Sequence, residues 1–149
     1  MRTKNGEFYE VKFQYEKTQE DGMQKKVTEL YTVDALSFTE AESKITEEMK
    51  LYVSGETLIK AITRAPYKEI LFDDRENADK FYKAKLDFIT IDEKTEKEKK
   101  STVTYLVQAA SLDEAKVNIV EVMKVTMIDY VIQAIAETKI MDVFEYGEK

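Results

Sequence analysis

The sequence predicts an α+β fold: an internal duplication of a ββαββ unit, with antiparallel sheets that each carry one helix, related by a pseudo-two-fold. Three observations lead there: the duplication itself, period-two alternation of apolar residues around it, and a capping box at the same place in each copy. Laid over Lys99–Lys124 at a shift of 74, Lys25–Lys50 matches without a gap at 13 of 26 positions, where chance allows roughly one or two. Tyr31 falls on Tyr105, Val33 on Val107, Ser37 on Ser111, Glu40 on Glu114, Ile45 on Ile119 and Met49 on Met123. At a shift of 73 the register extends outward, with Phe8-Tyr9 and Lys12 on Phe81-Tyr82 and Lys85, and Ile59, Ala61 and Ile62 on Ile132, Ala134 and Ile135. The shift changes in the charged stretch between the first two strands, where a hairpin loop tolerates an insertion. The copies span 7–72 and 80–146 and are joined by a polar connector, 73–79 (DDRENAD), within a single domain.

Taken in order, Tyr9, Val11, Phe13 and Tyr15 alternate with polar neighbours, as do Tyr82, Ala84, Leu86 and Phe88. That period, with aromatic and β-branched residues, marks a half-buried strand. Asp21-Gly22 is a hairpin signal, and the second connection, Glu93–Lys100, is a run of polar and charged residues. Second strands follow at Val27–Ala35 and Thr102–Ala109. Ser37-Phe38-Thr39-Glu40 and Ser111-Leu112-Asp113-Glu114 then spell capping boxes, in which the serine oxygen takes an orphan amide and the glutamate reaches back to the cap amide. In the first helix Ala41, Ile45, Met49 and Tyr52 form an apolar stripe for packing on the sheet, and Gly55 is a plausible stop. Each helix is followed by two more strands, Thr57–Arg64 and Tyr67–Phe72 in the first copy, Asp129–Glu137 and Ile140–Tyr146 in the second, turning at Ala65-Pro66 and Thr138-Lys139. Stretch 129–137 has helical propensity, but its counterpart carries Thr57, Ile59, Ile62 and Thr63, which tilts both toward strand.

Composition excludes much chemistry. With 149 residues the chain can bury a proper core. It has no Cys, which removes disulfides, thiolate catalysis and Cys-type zinc sites, and no His, which removes the usual general base and metal ligand. The N-terminus lacks an apolar run, so neither a signal peptide nor a membrane anchor is expected, and a cytoplasmic protein follows. The four glycines allow no P-loop, dinucleotide fingerprint or nucleophile elbow. Asp73-Asp74 has the look of a metal pair, but no third oxygen ligand is placed by spacing, and a solvated linker explains it. No enzyme activity, cofactor or metal is expected.

What recurs without belonging to the core face is the candidate site. Phe8 and Phe81 must point away from Tyr9 and Tyr82, to the face that also carries Lys12, Lys83 and Lys85. Lys25-Lys26 and Lys99-Lys100 recur at the entrance to the second strands. Rings that stack on bases, with lysines that follow phosphates, are what single-stranded nucleic-acid binders use. The expectation is weak, sequence-tolerant single-stranded DNA binding across this face. Against it stand Glu10, Glu16, Glu29 and Asp87 on or near the same strands and a net charge of −7, which opposes phosphate binding at physiological salt. The alternative is an acidic protein-interaction, adaptor or inhibitor module docking onto a basic host or phage protein. Unpaired outer strands invite pairing between copies, so a homodimer is expected.

From Arg2-Thr3-Lys4-Asn5-Gly6-Glu7-Phe8-Tyr9 through the segment Tyr31–Ala41 to Met141-Asp142-Val143-Phe144-Glu145-Tyr146, the whole chain resembles the domain of unknown function 4494 family, uncharacterised proteins of gut bacteria and their phages. The resemblance implies an accessory protein of phage or prophage type. Read from its third strand, the element order ββββα also resembles a repeat of Whirly-type single-stranded-DNA-binding proteins, circularly permuted. No Whirly sequence motif accompanies that order, and fold does not fix function.

Overall fold

A computed structural model describes residues 1–145. The chain runs β1 (Arg2–Asn5), β2 (Phe8–Thr18), β3 (Gln24–Asp34), α1 (Phe38–Met49), β4 (Thr57–Arg64), β5 (Tyr67–Phe72), β6 (Lys80–Ile91), β7 (Glu98–Ala109), α2 (Leu112–Thr126), β8 (Asp129–Glu137) and β9 (Ile140–Phe144). The α+β class and the repeated ββαββ order hold. β1 is additional to it, and the end of the last expected strand, Tyr146, lies outside the described residues.

The sheets do not coincide with the sequence copies. One has the order β4-β2-β3-β9 and the other β1-β5-β7-β6-β8. Each copy therefore sends its final strand into the sheet of the other copy, where it lies parallel to the second strand: β9 along β3, with Thr32 opposite Val143, and β5 along β7, with Ile70 opposite Leu106. The hairpins β2–β3 and β6–β7 are antiparallel, as expected, and so are β2–β4 and β6–β8. The expected single domain becomes two compact units. One comprises Met1–Gly6 and Tyr67–Thr138, the other Glu7–Pro66 and the chain from Lys139. The boundaries fall at the turns that launch the exchanged strands, not at connector 73–79.

Each unit has its own core on the helix side of its sheet. Tyr9, Val11, Phe13, Tyr31 and Val33 meet Ala41, Ile45 and Met49 of α1 in one. Tyr82, Ala84, Leu86, Tyr105 and Val107 meet Ala115, Ile119 and Met123 of α2 in the other. Both cores include a residue of the exchanged strand, Phe144 and Leu71 respectively. In β4 and β8 a bulge falls at the repeat-equivalent residue: Lys60 and Gln133 are each extra against the neighbouring strand.

The helix starts follow the sequence. Ser37 Oγ accepts the Glu40 amide at 3.1 Å and Ser111 Oγ the Glu114 amide at 3.2 Å, satisfying one orphan donor at each end. The return half of the box is replaced: Glu114 turns its carboxylate to Arg75, and Glu40 Oε1 is buried without a hydrogen-bond partner. The first helix stops earlier than Gly55 suggested. It ends at Met49, and the amides of Tyr52 and Val53 close onto the Met49 carbonyl. Tyr52 thus leaves the apolar stripe and is 74% exposed, while Gly55, at φ +92, shapes the loop before β4. α2 instead ends at Met127, a non-glycine residue held at φ 62.

Candidate functional site

The expected nucleic-acid face loses its rings. Phe8 and Phe81 do lie on the face opposite the helix, but each is only 2% exposed. A ring that solvent does not reach presents no surface to a base, so both are packing residues and not stacking platforms. Within its own sheet Phe8 shares that face with buried Thr32, and Phe81 shares it with buried Ile70 and Leu106. Of the expected lysines, Lys12, Lys25, Lys26, Lys85, Lys99 and Lys100 are exposed and Lys83 is half-buried. They are not gathered onto one surface. Successive residues of a strand point to opposite faces, so Lys25 and Lys26 diverge, as do Lys99 and Lys100. In the hairpin register Lys25 lies opposite Lys17, and Lys26 opposite Glu16. Local acids match these cations: Glu16, Glu20 and Asp21 beside Lys17, Lys25 and Lys26, and Asp92, Glu93, Glu96 and Glu98 beside Lys94, Lys97, Lys99 and Lys100.

The connector read as a solvated linker is anchored instead. Asp73 is 5% exposed, and its carboxylate takes the backbone amide of Arg75 at 3.1 Å, the Arg75 guanidinium through two nitrogens, and Asn118 Nδ2 at 3.1 Å. These hydrogen bonds, those of Arg75 foremost, hold the Asp73 carboxyl well below the usual carboxylate range in spite of its burial. Asn118, itself buried in α2, also donates to the Gln108 carbonyl, and the Gln108 side chain bridges the Asp73 amide and the Ala78 carbonyl. Arg75 completes the clasp by reaching Glu114 at 3.2 Å. All of these residues belong to one unit. The pair Asp73-Asp74 is therefore half consumed by an arginine and is not a cation site.

Beside this clasp lies the feature the sequence reading missed. α2 packs on β7 and β8 and encloses Leu71 of β5 in the core, leaving Glu69 of β5 and Thr3 of β1 open beside the helix. Two adjoining clefts, of about 420 and 450 Å³, open there and share Met1 and Glu121. Thr3 and Glu69 form the floor, Val117, Glu121, Val122 and Val125 the helix wall, and Asp73, Asp74 and Arg75 one end. Val117 is 56% exposed, Val125 81% and Met1 44%.

The duplication supplies an internal control for those valines. At the shift of 74 Val117, Val120 and Val122 correspond to Ser43, Thr46 and Glu48 of α1. Polar residues thus suffice at these positions for a helix to pack on this kind of sheet. Val122 packs on the core of its unit and Val125 matches the exposed Leu51, so Val117 is the valine beside the groove that adds apolar surface where α1 manages with a polar residue. Comparing the two helices residue by residue was the available signal. Three carboxylates, Glu69, Asp74 and Glu121, line the same groove, and its one guanidinium is committed to Asp73 and Glu114. An apolar wall with acidic edges suits a segment that is itself apolar and basic.

No helix among the described residues is long and apolar enough to cross a membrane, and no group of three or more acidic residues there is placed to hold a metal ion. No curated protein and no solved structure matches the chain. A family model described as Domain of unknown function (DUF4494) matches residues 7–146, from the residue after Gly6 through both copies of the repeat. The chain belongs to the DUF4494 family.

Proposed function

We propose that this protein is a non-enzymatic, acidic protein-binding module that takes a basic, apolar segment of a partner protein into the groove between α2 and strands β5 and β1. The observation that carries this reading is Val117 on the groove flank of α2, 56% exposed where the equivalent residue of α1 is Ser43, with Val125, 81% exposed, on the same wall. Exposed apolar surface rimmed by charge is the usual mark of an interaction site. The net charge of −7 and the carboxylates Glu69, Asp74 and Glu121 favour a cationic partner and speed its encounter.

Single-stranded DNA is the competing occupant, on a different surface. Its support is the recurrence and exposure of Lys12/Lys85 and Lys25-Lys26/Lys99-Lys100. Burial of Phe8 and Phe81 removes the stacking contribution, and the balanced hairpin charges weaken the electrostatic one.

The test sets one against the other. Wild type and a Val117→Ser/Val125→Ser variant, both changes being at exposed positions, are used to capture proteins from the cognate cell at low salt. In parallel, fluorescence anisotropy follows a labelled poly-dT strand. A protein retained by wild type, released by salt and lost with the variant supports the groove. Poly-dT binding that both forms share, with no protein distinguishing them, would overturn it in favour of nucleic acid.

A further inference from the structure

Strands β4 and β8 are the outermost strands on one side of their sheets, occupy equivalent places in the duplication and run for eight and nine residues. Among the described residues each leaves one backbone edge without a neighbouring strand, which is a template for a further strand. Apolar side chains accompany both: Leu58 is 53% exposed and Val131 45%. A bulge normally blunts such an edge, because the kinked strand cannot lie flush against a regular one. Here both edges carry the same kink, at Lys60 and at Gln133. A strand that pairs residue for residue with β4 must carry a matching irregularity, and β8 does. The charges agree with that match. Those within β4 are Lys60 and Arg64, and those within β8 are Asp129 and Glu137. Two β4 edges would bring cations together and two β8 edges would bring acids together, whereas the mixed pair sets unlike charges side by side, with Arg64 also held by Glu7 at 3.3 Å in its own unit.

We propose that β4 of one copy pairs antiparallel with β8 of a second copy, a head-to-tail contact between the two different repeats. The register that sets Arg64 opposite Asp129 also sets Lys60 opposite Gln133, so the two bulges coincide. Ile62 then faces Val131, Leu58 faces Ile135 and Thr57 faces Ala136. The next pair, Glu56 with Glu137, is like-charged and ends the ladder. A head-to-tail contact of this kind propagates to a ring or an open chain, unlike a self-complementary interface. The inference is independent of the groove in the other part of the sheet.

The chain has no native cysteine, so engineered ones report pairing without background. A Thr57→Cys protein and a separately tagged Ala136→Cys protein, both changed at exposed positions, are mixed under mild oxidation. Opposed residues of an antiparallel pair have Cα atoms about 4.5–5.5 Å apart, within disulfide reach. The expected product is a disulfide-linked dimer containing one of each, absent when either protein is oxidised alone and absent when Asp129→Cys replaces Ala136→Cys. Wild type should sediment above its 17.3 kDa monomer mass, increasingly so with concentration. A wild type that sediments as a 17.3 kDa monomer at its highest soluble concentration would overturn the proposal. So would linkage of the Thr57→Cys protein to itself in place of the mixed product.

Discussion

Replacing Phe8 or Phe81 by alanine separates a packing role from a surface role in one step. Both rings are 2% exposed, and both sit where the chain turns back on itself: the Phe8 carbonyl accepts the Ala65 amide at 2.8 Å and the Phe81 carbonyl the Thr138 amide at 2.9 Å. Truncating a buried phenylalanine removes its transfer free energy and leaves a cavity, together about 3–5 kcal/mol. That is a large part of a total stability of roughly 5–15 kcal/mol. For a chain of this size each kcal/mol moves the melting temperature by about 2–4 °C, so each variant should melt roughly 6–20 °C below wild type. Circular dichroism melts, with guanidinium titration as a second axis, provide the assay. An exposed stacking ring would behave differently: its loss changes stability by under about 0.5 kcal/mol and costs binding alone. Melting within about 2 °C of wild type for both variants, less than 1 kcal/mol by the same conversion, would refute the packing role and return the rings to the surface.

Other expectations test the clasp and the helix ends. The carboxyl of Asp73 is held low, so the stability it contributes is fully present above the ordinary carboxylate pKa and is lost as pH falls through its depressed folded value. In urea titrations wild type should lose its advantage over Asp73→Asn progressively below about pH 4, and parallel curves at all pH values would contradict the clasp. Ser37→Ala and Ser111→Ala should each cost about 1 kcal/mol in denaturant titrations, because both serines take an amide in the same way; a null effect at either would show that its cap is dispensable. Met127→Gly should raise the melting temperature, since Met127 is 90% exposed and held at φ 62, a conformation that glycine adopts without strain. A fall would mean that the methionine side chain makes a contact that outweighs the backbone gain.

The elements were largely legible because their signals are local. Alternation at Tyr9–Tyr15 and the serines at 37 and 111 act within a few residues, and the duplication let one copy correct the other at Asp129–Glu137. Pairing partners were not legible. A period-two pattern tells which face a side chain occupies but not which strand lies beside it, so the exchange of β5 and β9 left no trace in the alternation. The burial of Phe8 had the same origin: its face was readable, but whether anything covered that face was not. Consecutive aromatics at Phe8-Tyr9 and Phe81-Tyr82, and the run Ile70-Leu71-Phe72, were the signals that both faces are buried. The clasp was hidden because Asn118 is remote in sequence from Asp73 and Arg75, and all three residue types are common on surfaces. Strand β1, four polar residues long, had nothing to set it apart from a loop.

Photo-crosslinking tests the central claim, that the flank of α2 is a docking surface, most directly. A benzophenone amino acid is placed at Val117 in one protein and at the equivalent Ser43 in another, both positions being exposed. Each protein is irradiated in the cognate cell, and crosslinked partners are resolved by mass spectrometry. A partner protein linked through position 117, contacting it by a segment rich in lysine or arginine and apolar residues, is the expected product, with no such product from position 43. Equal labelling from both positions, or a Val117 product made only of nucleic acid, would contradict it.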